Sequence, residues 1–117
     1  MNNVKVVKVD QYSMVFDDGT ELSSSHEQDC CENHYLSFEH ITLEEVEDLR
    51  FDLTKDDFFE KIEDYGIALK PLNGHPVRIP GYGFNNGYYG TNLALTIDNS
   101  NMKYHKKHDI SECQVIE

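Results

Sequence analysis

The residues with the strongest chemical character are His26, Cys30 and His34, which recur at every fourth position. On a helix this spacing would place all three side chains on one face. Thiolate and imidazole are ligands that zinc prefers, so the spacing indicates a possible metal site with zinc as its ion. Two other interpretations stay open. The thiols could be small buried side chains in a loop, which needs no cofactor, or Cys30 could be a nucleophile with a histidine base.

A second candidate is the Gly- and Tyr-rich stretch at residues 81–90. Exposed aromatic rings in a glycine-rich loop can stack on bases or nucleotides. The residues predicted to form such a small-ligand site are Tyr82, Phe84, Tyr88 and Tyr89, with Arg78 or Lys70 to meet a phosphate. The stretch has neither the Gly-x-Gly-x-x-Gly spacing nor a Walker lysine. The alternative is a hairpin that turns at residues 86–87 and packs its rings on a sheet.

The third candidate is the distribution of charge. The net charge is −12, and residues 17–64 hold seventeen of the 22 acidic residues but only Arg50, Lys55 and Lys61 as basic ones. Direct binding to duplex nucleic acid is not expected, because phosphate contacts need Lys and Arg. The charge suits a surface that attracts a basic protein, although acidic residues also keep small proteins soluble. The residues predicted to bind such a partner are Glu44, Glu45, Glu47, Asp48, Asp56, Asp57, Glu60, Glu63 and Asp64.

The elements that must position these candidates are mainly strands. Valines at residues 4–9 predict an opening strand, and the Asp-Gly and Asn-Gly pairs at residues 18–19 and 73–74 predict hairpins. The segment between two prolines at residues 77–79 is predicted to be a short or edge strand, because proline cannot donate to a central ladder. Alternating apolar residues at 93–97 predict a strand with one buried face.

Helices are predicted only in residues 42–64. Thr42 and Glu45 fit a capping box, and apolar residues at 43, 46, 49 and 53 would line one helical face. A second helical patch is predicted over residues 54–64. We therefore predict an α+β fold, mostly antiparallel sheet with one or two short helices in the 42–64 region, and a single domain over residues 1–117.

The remaining features concern location and class. Three cysteines, two of them adjacent, make a poor disulfide framework and indicate reduced thiols in a cytosol. No stretch approaches ~18 apolar residues, and no signal peptide is recognisable, so a cytoplasmic location without membrane contact is expected. No pair of carboxylates has an environment that sets an acid against a base, so an enzyme is not expected. The oligomeric state is left open.

The His-Glu-Gln-Asp-Cys-Cys-Glu string at residues 26–32 and the Asn-Gly-Tyr-Tyr string at residues 86–89 carry a family resemblance. With the turn at residues 16–20 and the strand at residues 93–97, they resemble a family of small uncharacterised bacteriophage and prophage domains. The resemblance supplies no catalytic residues. It implies a phage accessory protein in a bacterial host cell, where many such proteins block host machinery. The expected function is an acidic inhibitor of host defence that imitates nucleic acid and occupies a basic host surface.

Overall fold

A computed structural model describes residues 2–25, 33–84 and 93–116. In these residues the chain forms ten strands and one helical turn. They are β1 (Val6–Val9), β2 (Ser13–Phe16), β3 (Glu21–Ser25), β4 (Asn33–Leu36), α1 (Leu43–Val46), β5 (Phe59–Ile62), β6 (Gly66–Leu69), β7 (Val77–Phe84), β8 (Ala94–Asn99), β9 (Tyr104–Asp109) and β10 (Val115–Ile116). The α1 turn is far too short to cross a bilayer, and no helix in the described ranges is long and apolar enough to do so.

The strands form two sheets. The first sheet has the order β1-β2-β3-β8-β9 and is antiparallel throughout. The second sheet contains β5, β6, β7 and β10 along one path, with β4 paired to β7 off that path. Its pairs are antiparallel except for β10, which runs parallel to β7. The chain therefore enters the second sheet at β4, leaves it after β7, and returns to it at its last strand.

The predicted α+β fold is wrong, because the fold is all-β. The first predicted helix is reduced to the four residues of α1. It stops because the backbone of Phe51 exchanges two hydrogen bonds of 2.8 Å with Val4, which draws the chain into an extended bridge. Thr42 has the extended backbone of an N-cap (φ −99°, ψ 149°), but its side chain accepts no capping hydrogen bond. The capping box is therefore not formed.

The second predicted helix, over residues 54–64, is replaced by turns and β5. β5 pairs with β6 across a tight turn, in which Asp64 has a left-handed φ of 61°. Phe58 and Phe59 are both buried, although they are consecutive and would point differently on a regular strand. Hairpin pairing with β6 thus overrides the helical spacing of the apolar residues.

The prediction that the strand between the prolines is short or at an edge is also wrong. β7 is eight residues long and has partner strands on both sides. It pairs with β6 up to Pro80 and with β4 from Gly81 onward. Pro80 lacks an N–H to donate, and it stands where the partner changes, while its carbonyl accepts a hydrogen bond of 2.9 Å from Ser37 N. Tyr82 pairs with both β4 and β10, so these two strands lie on opposite sides of β7.

The predicted hairpins and the alternating strand are confirmed. β2 and β3 pair around Gly19, which has a φ of 90°, and β6 and β7 pair around the Asn-Gly turn. Leu93, Leu95 and Ile97 are buried at 1% exposure or less. Apolar side chains of both sheets join in one core cluster, which includes Met14, Phe16, Leu22, Leu36, Ile67, Leu69, Ile79, Leu95 and Ile97.

The close approach of β6 to β7 generates a stability prediction. A Cβ at Gly66 would meet the backbone of Ile79, Pro80 and Gly81, with Gly81 N at 2.7 Å. We expect Gly66→Ala to lower the free energy of unfolding by about 1–3 kcal/mol, because backbone atoms cannot move aside as a side chain can. Gly74→Ala is the control, since its Cβ would meet the tip of the flexible Leu49 side chain. Urea denaturation that shows equal losses for both variants would contradict this account.

Candidate partner-binding surface

The nine acidic residues predicted to bind a partner are all exposed, and the fold separates them into two groups. The first group, called the α1 carboxylates, consists of Glu44, Glu45, Glu47 and Asp48 on and just after α1. The second group, called the β5 carboxylates, consists of Asp56, Asp57, Glu60, Glu63 and Asp64 on β5 and its flanking turns. The two groups differ in the basic residues that lie beside them.

The α1 carboxylates form no ion pair with any described residue. The turn that carries them is held to the core by Val46, which is 1% exposed. The neighbours of this buried residue must therefore face water, and four of them are acidic. Four carboxylates within residues 44–48, without local compensation, leave a concentrated negative charge that is available to a basic partner.

The β5 carboxylates are partly neutralised by residues near the end of the chain. Asp56 forms an ion pair with Lys106 of β9, and the hydrogen bond between them lowers the pKa of Asp56 and raises that of Lys106. Asp64 N donates a hydrogen bond of 3.0 Å to Glu112 O, and Lys61 lies 3.8 Å from the Glu112 carboxylate. These contacts tie β5 to β9 and the residues that follow it. Among the carboxylates of the second group, that of Asp56 is the one paired with a described residue.

His108 lies on β9, and its ring faces Phe58 and Phe59 at the start of β5. Its ring meets Phe59 and Phe58 edge to face, with ring centres 5.0 and 6.2 Å apart. Its Nε2 atom is buried and has no hydrogen-bond partner in the described parts of the chain. Burial lowers the pKa of His108, Lys106 and Lys61 lower it further, and Asp56 opposes them. A neutral imidazole is thus favoured at this junction.

The Gly–Tyr candidate is only partly described. Tyr88, Tyr89 and the side chain of Phe84 lie outside the described residues. Tyr82 is half-buried on β7, and its register partner on β4 is Tyr35, with ring centres 5.8 Å apart. Tyr12 meets Tyr35 edge to face at 5.5 Å and is 53% exposed. Tyr12, Tyr35 and Tyr82 thus form a tyrosine row across the two strands.

Sequence reasoning missed Tyr12 and Tyr35 as members of this row. Tyr35 could have been found, because His34 and Leu36 on either side of it are buried and alternation turns Tyr35 to the other face. Arg78, predicted to meet a phosphate, lies four residues from Tyr82 along β7, about 13 Å away at strand spacing. Lys70 lies farther along, beyond the Leu69–Val77 pair. Neither cation is brought to the tyrosine row.

Of the predicted metal ligands, only His34 lies within the described residues, because His26 and Cys30 fall in the stretch 26–32. His34 is 1% exposed, and its Nδ1 donates a hydrogen bond of 2.8 Å to Oε1 of Gln114. Gln114 Nε2 in turn donates to Ser111 O at 2.8 Å. Across the described ranges, no group of three or more His, Cys, Asp or Glu side chains is placed to hold a metal ion. The third cysteine, Cys113, is buried, and burial raises the pKa of its thiol.

Comparison with known proteins places this architecture in a family. Residues 2–95 match DUF7448, a domain of unknown function. The chain belongs to this family. The matched region contains α1, the α1 carboxylates and β1 to β7, whereas β9 lies beyond it. No curated protein and no solved structure gives a significant match.

The burial of His108 generates a prediction on pH dependence. The pKa of His108 is lower in the folded protein than the usual 6.5. Just below pH 6.5 the unfolded chain therefore binds a proton at this residue more readily than the folded protein does. Stability should therefore fall as the pH drops through about 6.5, and His108→Gln should remove this part of the loss. The measurement is urea denaturation at several values from about pH 8 to about pH 5.5. His75→Gln, on an exposed turn, is the control. Identical pH slopes for the wild type and His108→Gln would refute the assignment.

Proposed function

We propose that this protein is an accessory protein that binds a basic surface of another protein through its α1 carboxylates. The observation that carries the proposal is that these four carboxylates lie together within residues 44–48 and are all exposed and unpaired among the described residues, whereas Asp56 of the β5 carboxylates is paired with Lys106. The partner we propose is a host protein in a bacterial cytoplasm, which the acidic protein inhibits by occupying a nucleic-acid groove.

The charge density of α1 supports imitation of nucleic acid. At a helical rise of about 1.5 Å per residue, residues 44–48 extend roughly 6 Å and carry four negative charges. Duplex DNA carries about one charge per 1.7 Å of its axis, which is a similar density. A groove that binds phosphates with Lys and Arg would therefore meet a comparable local charge. Attraction of this kind raises the rate of association more than it raises the affinity.

Charge reversal tests the proposal. We expect replacement of Glu44, Glu45, Glu47 and Asp48 by lysine to weaken binding to a basic bacterial partner at least about tenfold, because attraction becomes repulsion. Wild-type binding should hold at about 0.1 M ionic strength, where the screening length is ~10 Å, and be lost near 1 M, where it is ~3 Å. The measurement is a pull-down from bacterial lysate across a salt series, followed by affinity measurement with the isolated partner.

The control must change net charge equally without touching α1. Lysine substitutions at Asp10, Glu21, Glu60 and Glu117 meet this condition, and circular dichroism should show that both variants fold. Equal loss of binding in the two variants would indicate non-specific charge attraction. Undiminished binding in the α1 variant would refute the proposal.

A second function is favoured by the tyrosine row, which offers ring faces and edges for a flat ligand to stack on. Because Arg78 and Lys70 are not beside these rings, a neutral nucleoside or base fits better than a nucleotide phosphate. The row is therefore proposed as a stacking site for an uncharged planar group.

Thermal shift measurements test this second function. We expect millimolar adenosine or uridine to raise the melting temperature, since ligand at about 100 times its Kd adds ~2.7 kcal/mol to stability. Tyr82→Ala should remove the shift, and Tyr104→Ala, on β9, should keep it. Failure of every nucleoside to shift the wild-type transition would exclude the stacking site.

A further inference from the structure

An open groove of about 490 Å³ lies between α1 and the turn that joins β6 to β7. Its volume falls in the range of about 300–1,000 Å³ that is usual for binding pockets. Ile41, Val46, Leu49 and Val77 supply an apolar floor. Of these, Leu49 and Val77 are only partly buried, so part of this apolar surface remains in contact with water. The groove adjoins the α1 carboxylates, because Glu45 is itself one of its lining residues.

The two banks of the groove are held in place by side-chain hydrogen bonds at both ends. At one end, His40 Nε2 donates to Arg78 O at 3.1 Å. At the other end, Asn73 Nδ2 donates to Asp48 O at 3.0 Å, and Asn73 Oδ1 accepts from Arg50 N at 2.7 Å. Asn73 thus fastens the β6–β7 turn to the chain just after α1. The groove is fixed by contacts within the protein, and an occupant would not need to form it.

The groove has opposite charges on its two banks. Glu45 lines the α1 side and Arg78 lines the β7 side, and both are exposed. Neither side chain forms an ion pair with another described residue. The arrangement favours an apolar group on the floor with a positive charge on the α1 side. It disfavours a positive charge on the β7 side.

We propose that this groove receives one large apolar side chain from a basic segment of the partner protein, with the adjacent lysine or arginine residues of that segment on the α1 carboxylates. The inference rests on the proposed function and adds to it the kind of segment that is bound. Charge complementarity selects this occupant, because Glu45 lines the groove beside the apolar floor and the other α1 carboxylates lie within three residues of it in the chain. An apolar anchor in a pocket supplies the selectivity that exposed charges cannot supply.

Defined peptides test the inference with the intact chain. The probes are acetylated, amidated pentapeptides of sequence Lys-Lys-Lys-X-Ser, in which X is leucine or glycine and the lysines stand on one side of X only. We expect the leucine peptide to bind about tenfold more tightly, since burial of one leucine side chain is worth at least that factor. Titration followed by NMR should shift the amide signals of Leu49 and Val77. Leu49→Ser should make the two peptides bind equally.

Charge variants at the banks give a second measurement that does not depend on the core. Glu45→Lys should weaken both peptides, whereas Arg78→Glu should tighten both, because it replaces a repelling charge by an attracting one. Both residues are exposed, so these variants should keep the wild-type melting temperature. The same charge changes at Glu60 and Lys107, which are exposed and do not line the groove, are the controls. Larger effects at Glu45 and Arg78 than at these controls would locate the peptide in the groove, and equal effects would count against it.

The remaining outcomes separate this inference from the proposed function. Equal affinity for the leucine and glycine peptides, still abolished by reversal of the α1 carboxylates, would overturn the groove and leave the acidic surface in place. A leucine preference whose signals map to the tyrosine row would also overturn the groove. No binding of either peptide at low salt would overturn both.

Discussion

The structure depends on the change of partner along β7. β7 pairs with β6 up to Pro80 and with β4 from Gly81 onward, and Pro80, which has no N–H to donate, stands where the partner changes. Its first half directs Ile79 into the core and Arg78 to the groove, and its second half carries Tyr82. The groove and the tyrosine row are therefore both positioned by one strand. A Cβ atom at Gly66 would meet the backbone of β7, and a Cβ atom at Gly81 of β7 would meet the carbonyl oxygen of Cys113.

The parts of the fold that could be predicted are those that local chemistry decides. The Asp-Gly turn needs a positive φ, which Gly19 adopts, and the alternation at residues 93–97 is typical of a half-buried strand. The helix prediction for residues 42–64 is wrong because their apolar spacing suits a helix, while the backbone hydrogen bonds that decide their structure are made with residues outside the segment. Phe51 is held by Val4, and β5 by β6. Helical propensity in such a segment is a weak preference, which the pairing of strands easily overrides.

The exposure of the nine carboxylates could be predicted from the sequence, but which of them are paired could not. Charged residues avoid the core, so nine exposed carboxylates follow from composition alone. The pairing of a given carboxylate depends on contacts such as that between Asp56 and Lys106, two residues that are fifty positions apart in the chain. The compensating residues on β9 lie outside the part of the chain that matches the family, whereas the α1 carboxylates and the groove lie within it.

Charge and groove would act at different distances in partner binding. The α1 carboxylates attract any basic surface from up to about one screening length, ~8 Å at physiological salt, and so favour encounter without choosing among partners. The groove acts only on contact, when apolar surface leaves water. Arg78 then adds direction, because a segment with basic residues on both sides of its anchor meets repulsion on the β7 bank. The segment that satisfies all three constraints has its basic residues on one side only, which is a narrower requirement than a general affinity for basic proteins.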